Sequence, residues 1–453
     1  RERRPAERKG LAIVSTECDK PIVYLLSIED IVRSPIVQSQ SLGVLKALAN
    51  QFFPYQLHIV SLYPLTSCLR SRRRLVALKK NLADKHIALH ILPIPYLTRH
   101  FYIPKALLPF YDWIALTAAK WIARRLNPGL VHCRSYPAAL VGRHIKALSN
   151  CKLVFDPRSL YPEEGASRAI DGKYVMFNAQ TYNNWKSIES ELVSGSDAVI
   201  AISQPSSDIL ADQYPEKAVQ ISTIPTTANV ITPAQIEIYR ALTRRKLGYL
   251  DGDIVVAYVG TWFDYDATME LVQLLRQALP DTPWRFLLIV SGLSSQKGKH
   301  LRASLEQKLD ADLGQRYHLL SLPQAQVHQY LAGADIAVQI ASTPADKKQD
   351  TRYQLMARTV ISVKFAEYLA SGLPVVVSKW AGAAADIVRK HNLGLVYDEA
   401  TIEELRSWLV NWQAEPDDFR QRARDFAHAH FSLETVTESY LTIYKQLLET
   451  ELL

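Results

Sequence analysis

Lys364 and Glu367 head the stretch VKFAEYLASGLPVVVS (363–378), a base and an acid three residues apart at the start of a short apolar segment. Ser362 can cap a helix there. Phe365, Ala366, Leu369 and Ala370 recur at helical spacing, Gly372 supplies a left-handed stop, and Pro374 forbids continuation. A surface ion pair explains little, because an acid that follows its base is the weaker orientation and such pairs contribute only about 0.2–0.5 kcal/mol. A cation and a hydrogen-bond acceptor at a helix start, beside the ends of parallel strands, suit an anionic ligand that carries hydroxyl groups.

The elements that must position this pair are legible as alternation. PIVYLLS (21–27), YQLHIVSLY (55–63), IALHILPI (87–94), GLVHCRS (129–135), KLVFDPRS (152–159) and DAVIAIS (197–203) are short apolar runs separated by helical patterns. After a Thr- and Pro-rich connection the alternation restarts with DIVVAYVG (253–260), RFLLIVSG (285–292), YHLLSL (317–322), ADIAVQI (334–340), PVVVS (374–378) and GLVYD (394–398). Repeated βαβ units of this kind predict two doubly wound α/β sheets in tandem, meeting near residue 230. A ligand then belongs at the carboxyl ends of the strands, in the cleft between the halves. The last helical stretch, from Phe431 onward, is long enough to reach back across that cleft.

The chain's 453 residues, 48% hydrophobic and 22% charged, fit an ordinary soluble globular protein of two or three domains. Its four cysteines, Cys18, Cys68, Cys133 and Cys151, show no metal-ligand spacing and read as reduced thiols of a cytoplasmic protein. No apolar run spans a bilayer, and the charged opening RERRPAERKG reads as a disordered or truncated end. The net charge of +8 is unevenly placed: residues 61–130 hold twelve Lys or Arg against Asp84 and Asp112, a local +10. Aromatic and aliphatic stretches interleave with that charge, which suits a peripheral contact with an anionic membrane surface. No nucleic-acid recognition motif accompanies it.

Four stretches in order resemble the family 4 retaining glycosyltransferases, which have the GT-B fold of two Rossmann-like domains facing each other across a cleft. K-F-A-E-Y-L-A-S-G-L-P-V-V-V is similar to their nucleotide-sugar motif, GLVHCRSYPAAL to the strand and loop carrying a site histidine or arginine, KLVFDPRSLYPEE to the D-x-R-x-x-x-P-E-E loop, and RRKLGYLDGDIVVAYVG to the start of the C-terminal domain. The resemblance implies a terminal segment 1–20, an acceptor-binding domain 21–230, a nucleotide-sugar-binding domain 231–435, and a C-terminal helix 436–453 crossing back. Of the family's Glu-x7-Glu pair Glu367 fits the second position while Thr359 occupies the first, as in a subset carrying Lys-x-x-Glu instead. After Gly260 the sequence TWFDYDATMEL lacks the usual phosphate-holding cations, so the loop ending in Lys364 must supply them through Lys347, Lys348, Arg352, Arg358 or Lys364.

Cleaving a sugar from a nucleoside diphosphate builds negative charge on the departing phosphate, so the chemistry is chiefly electrostatic, and the resemblance to a GT-B transferase implies that it needs no metal ion or other cofactor. Lys364, Arg352 and Arg358 are the candidates to meet that charge, helped by backbone at Gly260 and Thr261. The resemblance implies that Glu367, beside Ser362, accepts from the ribose hydroxyls. On the acceptor side it points to Asp156, Arg158 and Glu163, with His132 and Arg134 near the reacting centre. The partners implied are a nucleoside-diphosphate sugar and an acceptor left open among a lipid-linked sugar, a growing polysaccharide and a small molecule; the basic, aromatic segment leans toward the lipid-linked one, in cell-envelope or exopolysaccharide or glycolipid synthesis in the cytoplasm or on the inner face of a membrane. Three alternatives stay open: a non-catalytic GT-B subunit, a GT-B epimerase or phosphorylase, and a metal-dependent transferase using Asp251-x-Asp253, Asp264-x-Asp266 or Asp310-x-Asp312. A G-x-G-x-x-G fingerprint after a strand is missing, which makes a dinucleotide-dependent dehydrogenase a weaker contender.

Overall fold

Strands covered by helices on both faces need continuous apolar runs, and the chain supplies them twice. The computed structural model describes residues 20–51, 55–95, 101–167, 169–170, 174–260, 265–293, 295–340 and 350–449. The first sheet is built from β1 (Ile22–Ser27), β2 (Leu57–Pro64), β3 (Ile87–Ile94), β4 (Leu130–Arg134) and β5 (Lys152–Asp156). After a small antiparallel pair, β6 (Ala169–Ile170) and β7 (Tyr174–Val175), it is completed by β8 (Ala198–Ala201) and β9 (Ile221–Thr223). Its order is β3-β2-β1-β4-β5-β8-β9, all parallel.

The second sheet holds β10 (Ile254–Gly260), β11 (Trp284–Val290), β12 (Tyr317–Leu320), β13 (Ile336–Gln339), β14 (Val375–Val377) and β15 (Gly394–Val396). They run in the order β12-β11-β10-β13-β14-β15, again all parallel. The chain reverses its direction of travel between β1 and β4 in one sheet and between β10 and β13 in the other. These are the topological switch points where doubly wound sheets bind ligands.

Side chains alternate between the faces of each sheet. In β1, Val23 and Leu25 join one core layer while Ile22, Tyr24 and Leu26 join the other. This alternation divides the basic segment 61–130. The Leu65–Ala83 helix packs Cys68, Leu75, Leu78 and Leu82 on the layer of Ile22, whereas the Leu108–Leu126 helix packs Tyr111, Ile114 and Ile122 on the layer of Val23. The segment expected to make one basic surface therefore presents two helices on opposite faces of the sheet.

Two crossings join the halves, and they are pinned together. Ala228 donates its N–H to Phe431 O (2.8 Å) and pairs with Ser432. The buried Gln40 side chain accepts from Thr227 N (2.6 Å) and donates to Thr227 O (2.9 Å), fastening the first crossing to the N-terminal half. After the second crossing the Leu433–Glu449 helix lies back over the N-terminal sheet, burying Val436, Tyr440, Ile443 and Tyr444 against Ile22, Tyr24, Leu130 and Val154.

Candidate active site

The Val363–Ala370 helix is held at its start by Ser362, whose Oγ accepts from Phe365 N (3.2 Å) and donates to Gln339 Oε1 (3.0 Å) at the end of β13. The Tyr368 hydroxyl accepts from Val259 N (2.7 Å), tying the same helix to the end of β10. Gly372, at φ +72°, stops the helix where a left-handed residue is needed. Gly382, also at φ +72°, brings the next helix so close to this region that a Cβ there would stand 2.2 Å from Val360 O. Sequence capping rules thus become a rigid platform at the carboxyl edge of the second sheet.

On that platform Lys364 is largely buried, with its ammonium 5.3 Å from the centroid of the Tyr258 ring. It makes no ion pair among the described residues, and burial lowers its pKa. Gly260 keeps the Tyr258 ring in place, since a Cβ there would stand 2.5 Å from the Tyr258 hydroxyl. Glu367, one turn on, is also largely buried; burial pushes its carboxyl up to about 7 and a hydrogen bond with Gln324 only partly opposes that. The two do not pair with each other, so the surface ion-pair reading fails. An unpaired cation and a carboxyl poised near neutrality are costly to bury, and such groups cluster at ligand sites.

Arg352 and Arg358 lie on the Thr351–Thr359 helix, which Asp350 caps by accepting from Arg352 N (3.0 Å). This helix bridges the halves. Leu355 packs on the N-terminal core, Ser203 Oγ donates to Thr359 O (2.7 Å), and the Arg352 guanidinium stands 5.6 Å over the Tyr182 ring. Arg358 is exposed in the last turn. Thr359 is buried with its hydroxyl donating to Met356 O (2.9 Å). Thr261, Lys347 and Lys348 lie outside the described residues.

Across the cleft, the structure gathers His132, Arg134, Asp156 and Arg158 at the carboxyl edge of the first sheet. Asp156 Oδ2 stands 3.4 Å from His132 Nε2, 3.4 Å from the Tyr440 hydroxyl and 3.5 Å from Arg158 Nη1. Burial pushes the Asp156 carboxyl up, but Arg158, the His132 hydrogen bond and Arg134 outweigh it and hold the group below the usual range. Arg134 Nε donates to Glu29 Oε2 (3.0 Å). Ile28, Ser135 and Arg158, just past β1, β4 and β5, all have positive φ (65°, 71° and 62°), a cluster of backbone strain at one sheet edge.

Two of the candidates are enclosed by other side chains. His132 is fully enclosed: its Nδ1 lies 2.8 Å from the Tyr444 hydroxyl, its Nε2 faces Asp156, and burial keeps the ring neutral by lowering its pKa. It fastens the C-terminal helix and meets no open space. Glu163 is likewise enclosed, accepting from Tyr182 OH (3.1 Å) and pairing with Lys186 (3.2 Å) in a cluster with Glu189, Tyr136 and Tyr214, apart from Asp156. Sequence reading missed Gln339, Tyr258 and Gly382. Gln339, the one amide in the apolar run ADIAVQI, was the available signal.

A separate cavity of about 490 Å³ opens at the amino ends of the second sheet's strands. Six carboxylates line it, Asp251 and Asp281 among them, against Arg240 and Arg420. That balance repels a pyrophosphate, so it is not the anion site. No group of three or more His, Cys, Asp or Glu among the described residues is arranged to hold a metal ion, and no helix there is long and apolar enough to cross a membrane.

Two parallel sheets flanked by helices in this arrangement constitute the GT-B fold. Solved structures share it over nearly the whole chain. A glycosyltransferase from Rickettsia africae is similar at 15% identity, covering 95% of this chain and 99% of its own, with a TM-score of 0.65. The Thermosynechococcus elongatus sucrose-phosphate synthase matches at 18% identity over 95% and 100%, TM-score 0.62. Anabaena HepE in complex with UDP and glucose matches at 16% identity over 94% and 99%, TM-score 0.58. Residues 54–230 match the model of Glycosyltransferase Family 4, and residues 340–431 that of the Glucosyltransferase 3-like C-terminal domain, so both halves carry a glycosyltransferase signal. No curated protein matches the chain.

Proposed function

We propose that this protein is a retaining glycosyltransferase that moves a sugar from a nucleoside diphosphate to an acceptor. The observation that carries the reading is the largely buried Lys364, without an ion-pair partner among the described residues, one turn from Glu367 at the carboxyl edge of the second sheet. The Anabaena protein's complexes with UDP and with UDP-glucose support a nucleotide-sugar donor.

In this reading Lys364 meets the diphosphate, where charge grows as the glycosidic bond breaks, and a cation already desolvated stabilises that charge more than one in water. Glu367 accepts from the ribose hydroxyls. Arg352 and Arg358, on the helix between the halves, add positive charge when the cleft closes, so no bound metal is needed. Arg134, Asp156 and Arg158 receive the acceptor, with His132 positioning Asp156 from beneath. A lipid-linked acceptor in the assembly of cell-envelope polysaccharide or glycolipid belongs to the same reading.

Incubation with a panel of nucleotide sugars, with and without chelator, tests it. Release of a nucleoside diphosphate from one donor, insensitive to chelator, is expected; release that stops with chelator contradicts the metal-free part. The buried Thr359 at the first-carboxylate position favours a second reading, a binding subunit without turnover. Nucleotide binding with no turnover of any donor would select it.

A further inference from the structure

The Leu65–Ala83 helix carries six cations, Arg70, Arg72, Arg73, Arg74, Lys79 and Lys80, and no acid. None makes an ion pair among the described residues. Three large apolar residues on the same helix face solvent: Leu69 is 71% exposed, Val76 66% and Leu65 48%. Single exposed aliphatics are ordinary on a protein surface. These three are not scattered, because at 3.6 residues per turn they fall within roughly 40° of arc. Arg72 and Lys79 border that stripe on one side, Arg73 and Lys80 on the other. The buried Ser71 and Leu82 lie on the far side of the helix, so core packing does not account for the stripe.

We propose that this helix is a docking face for an anionic lipid surface. An apolar ridge between rows of unpaired cations matches the interface, where acyl chains receive the ridge and headgroup phosphates meet the cations. A second copy of the same face is disfavoured, since it would set six cations against six. The helix also has a useful place in the fold. It starts at Leu65, immediately after β2, and β2 runs parallel to β1, β4 and β5. Leu65 and Leu69 therefore lie at the same sheet edge as Arg134 and Asp156. A membrane held there brings a lipid-linked acceptor to the acceptor side of the cleft, a point that rests on the glycosyltransferase reading, while the docking itself does not.

Flotation of the full chain with phosphatidylcholine vesicles, with and without phosphatidylglycerol, tests this. Recovery with the anionic vesicles alone, falling as salt rises, is expected. R72A/R73A should lower the partition about fivefold per cation removed. L69S/V76S should bind at low salt and lose recovery at physiological salt. All four side chains are exposed, and unchanged melting and UDP titration of the variants check that the fold and donor site persist. Equal recovery on both vesicle types, recovery on neither, or variants that behave as wild type would overturn the proposal. So would salt-sensitive retention of double-stranded DNA without vesicle recovery. Nucleotide titration of the same preparation keeps failure here distinct from failure of the transfer reading.

Discussion

Lys364 and Glu367 stand one turn apart on the same helix, both largely buried, without pairing to each other. Each bears a burial cost that the Tyr258 ring, for Lys364, and the Gln324 hydrogen bond, for Glu367, only partly offset. Stability and binding should therefore respond in opposite directions to removal of the charge. Lys364→Met is expected to raise the melting temperature and to weaken UDP binding by about 10- to 100-fold, the worth of a charged hydrogen bond. A variant that melts earlier and binds equally well would mean that the ammonium serves the fold alone.

Glu367 gives the fold a distinct pH signature. Its folded pKa of about 7 lies above the ordinary 4.5. Between these values the unfolded chain ionises and the folded one holds its proton, so stability falls as pH rises through that window and then levels off. The loss is of order 3 kcal/mol. Glu367→Gln should remove it, giving a variant more stable than wild type above pH 7 and similar near pH 4.5. If the carboxylate accepts from ribose, nucleotide binding below pH 7 must also release a proton, visible by calorimetry in buffers of different ionisation enthalpy.

Tyr444 and His132 join chain segments 312 residues apart. Tyr444→Phe strands a buried ring nitrogen and should cost about 1–3 kcal/mol, with UDP affinity unchanged. Because burial holds the His132 pKa below 6.5, the unfolded state takes up the proton first as pH falls, and stability is lost below that value. His132→Asn should flatten this acid limb. A limb unaltered by the substitution would assign it to other groups.

Gly382 has a φ of +72° and no room for a Cβ beside Val360 O. Gly382→Ala should lower stability by about 2 kcal/mol or more, and should weaken UDP binding, because the helix start it displaces adjoins the end of the bridging helix. Wild-type melting of this variant would show that the backbone there yields easily.

The two sheets were legible because parallel strands buried on both faces leave apolar runs such as Val375–Val377 that no other element explains. The site helix was legible for local reasons: Ser362 caps, Gly372 stops, and both signals lie within a turn of the residues they control. The enclosure of His132 was not legible because Tyr440 and Tyr444, which surround it, arrive from the far end of the chain. Glu163 follows the same logic, since Lys186 and Glu189 surround it from another helix. The basic segment was read as one surface because nothing local shows that the chain changes face between β3 and β4.

The most direct measurement is a calorimetric titration of UDP and GDP into wild type and Glu367→Ala. Binding of one nucleotide by wild type, lost in a variant that melts no earlier, is the predicted result. Equal affinity in both proteins, or no binding of either nucleotide, would contradict a donor site on the Val363–Ala370 helix.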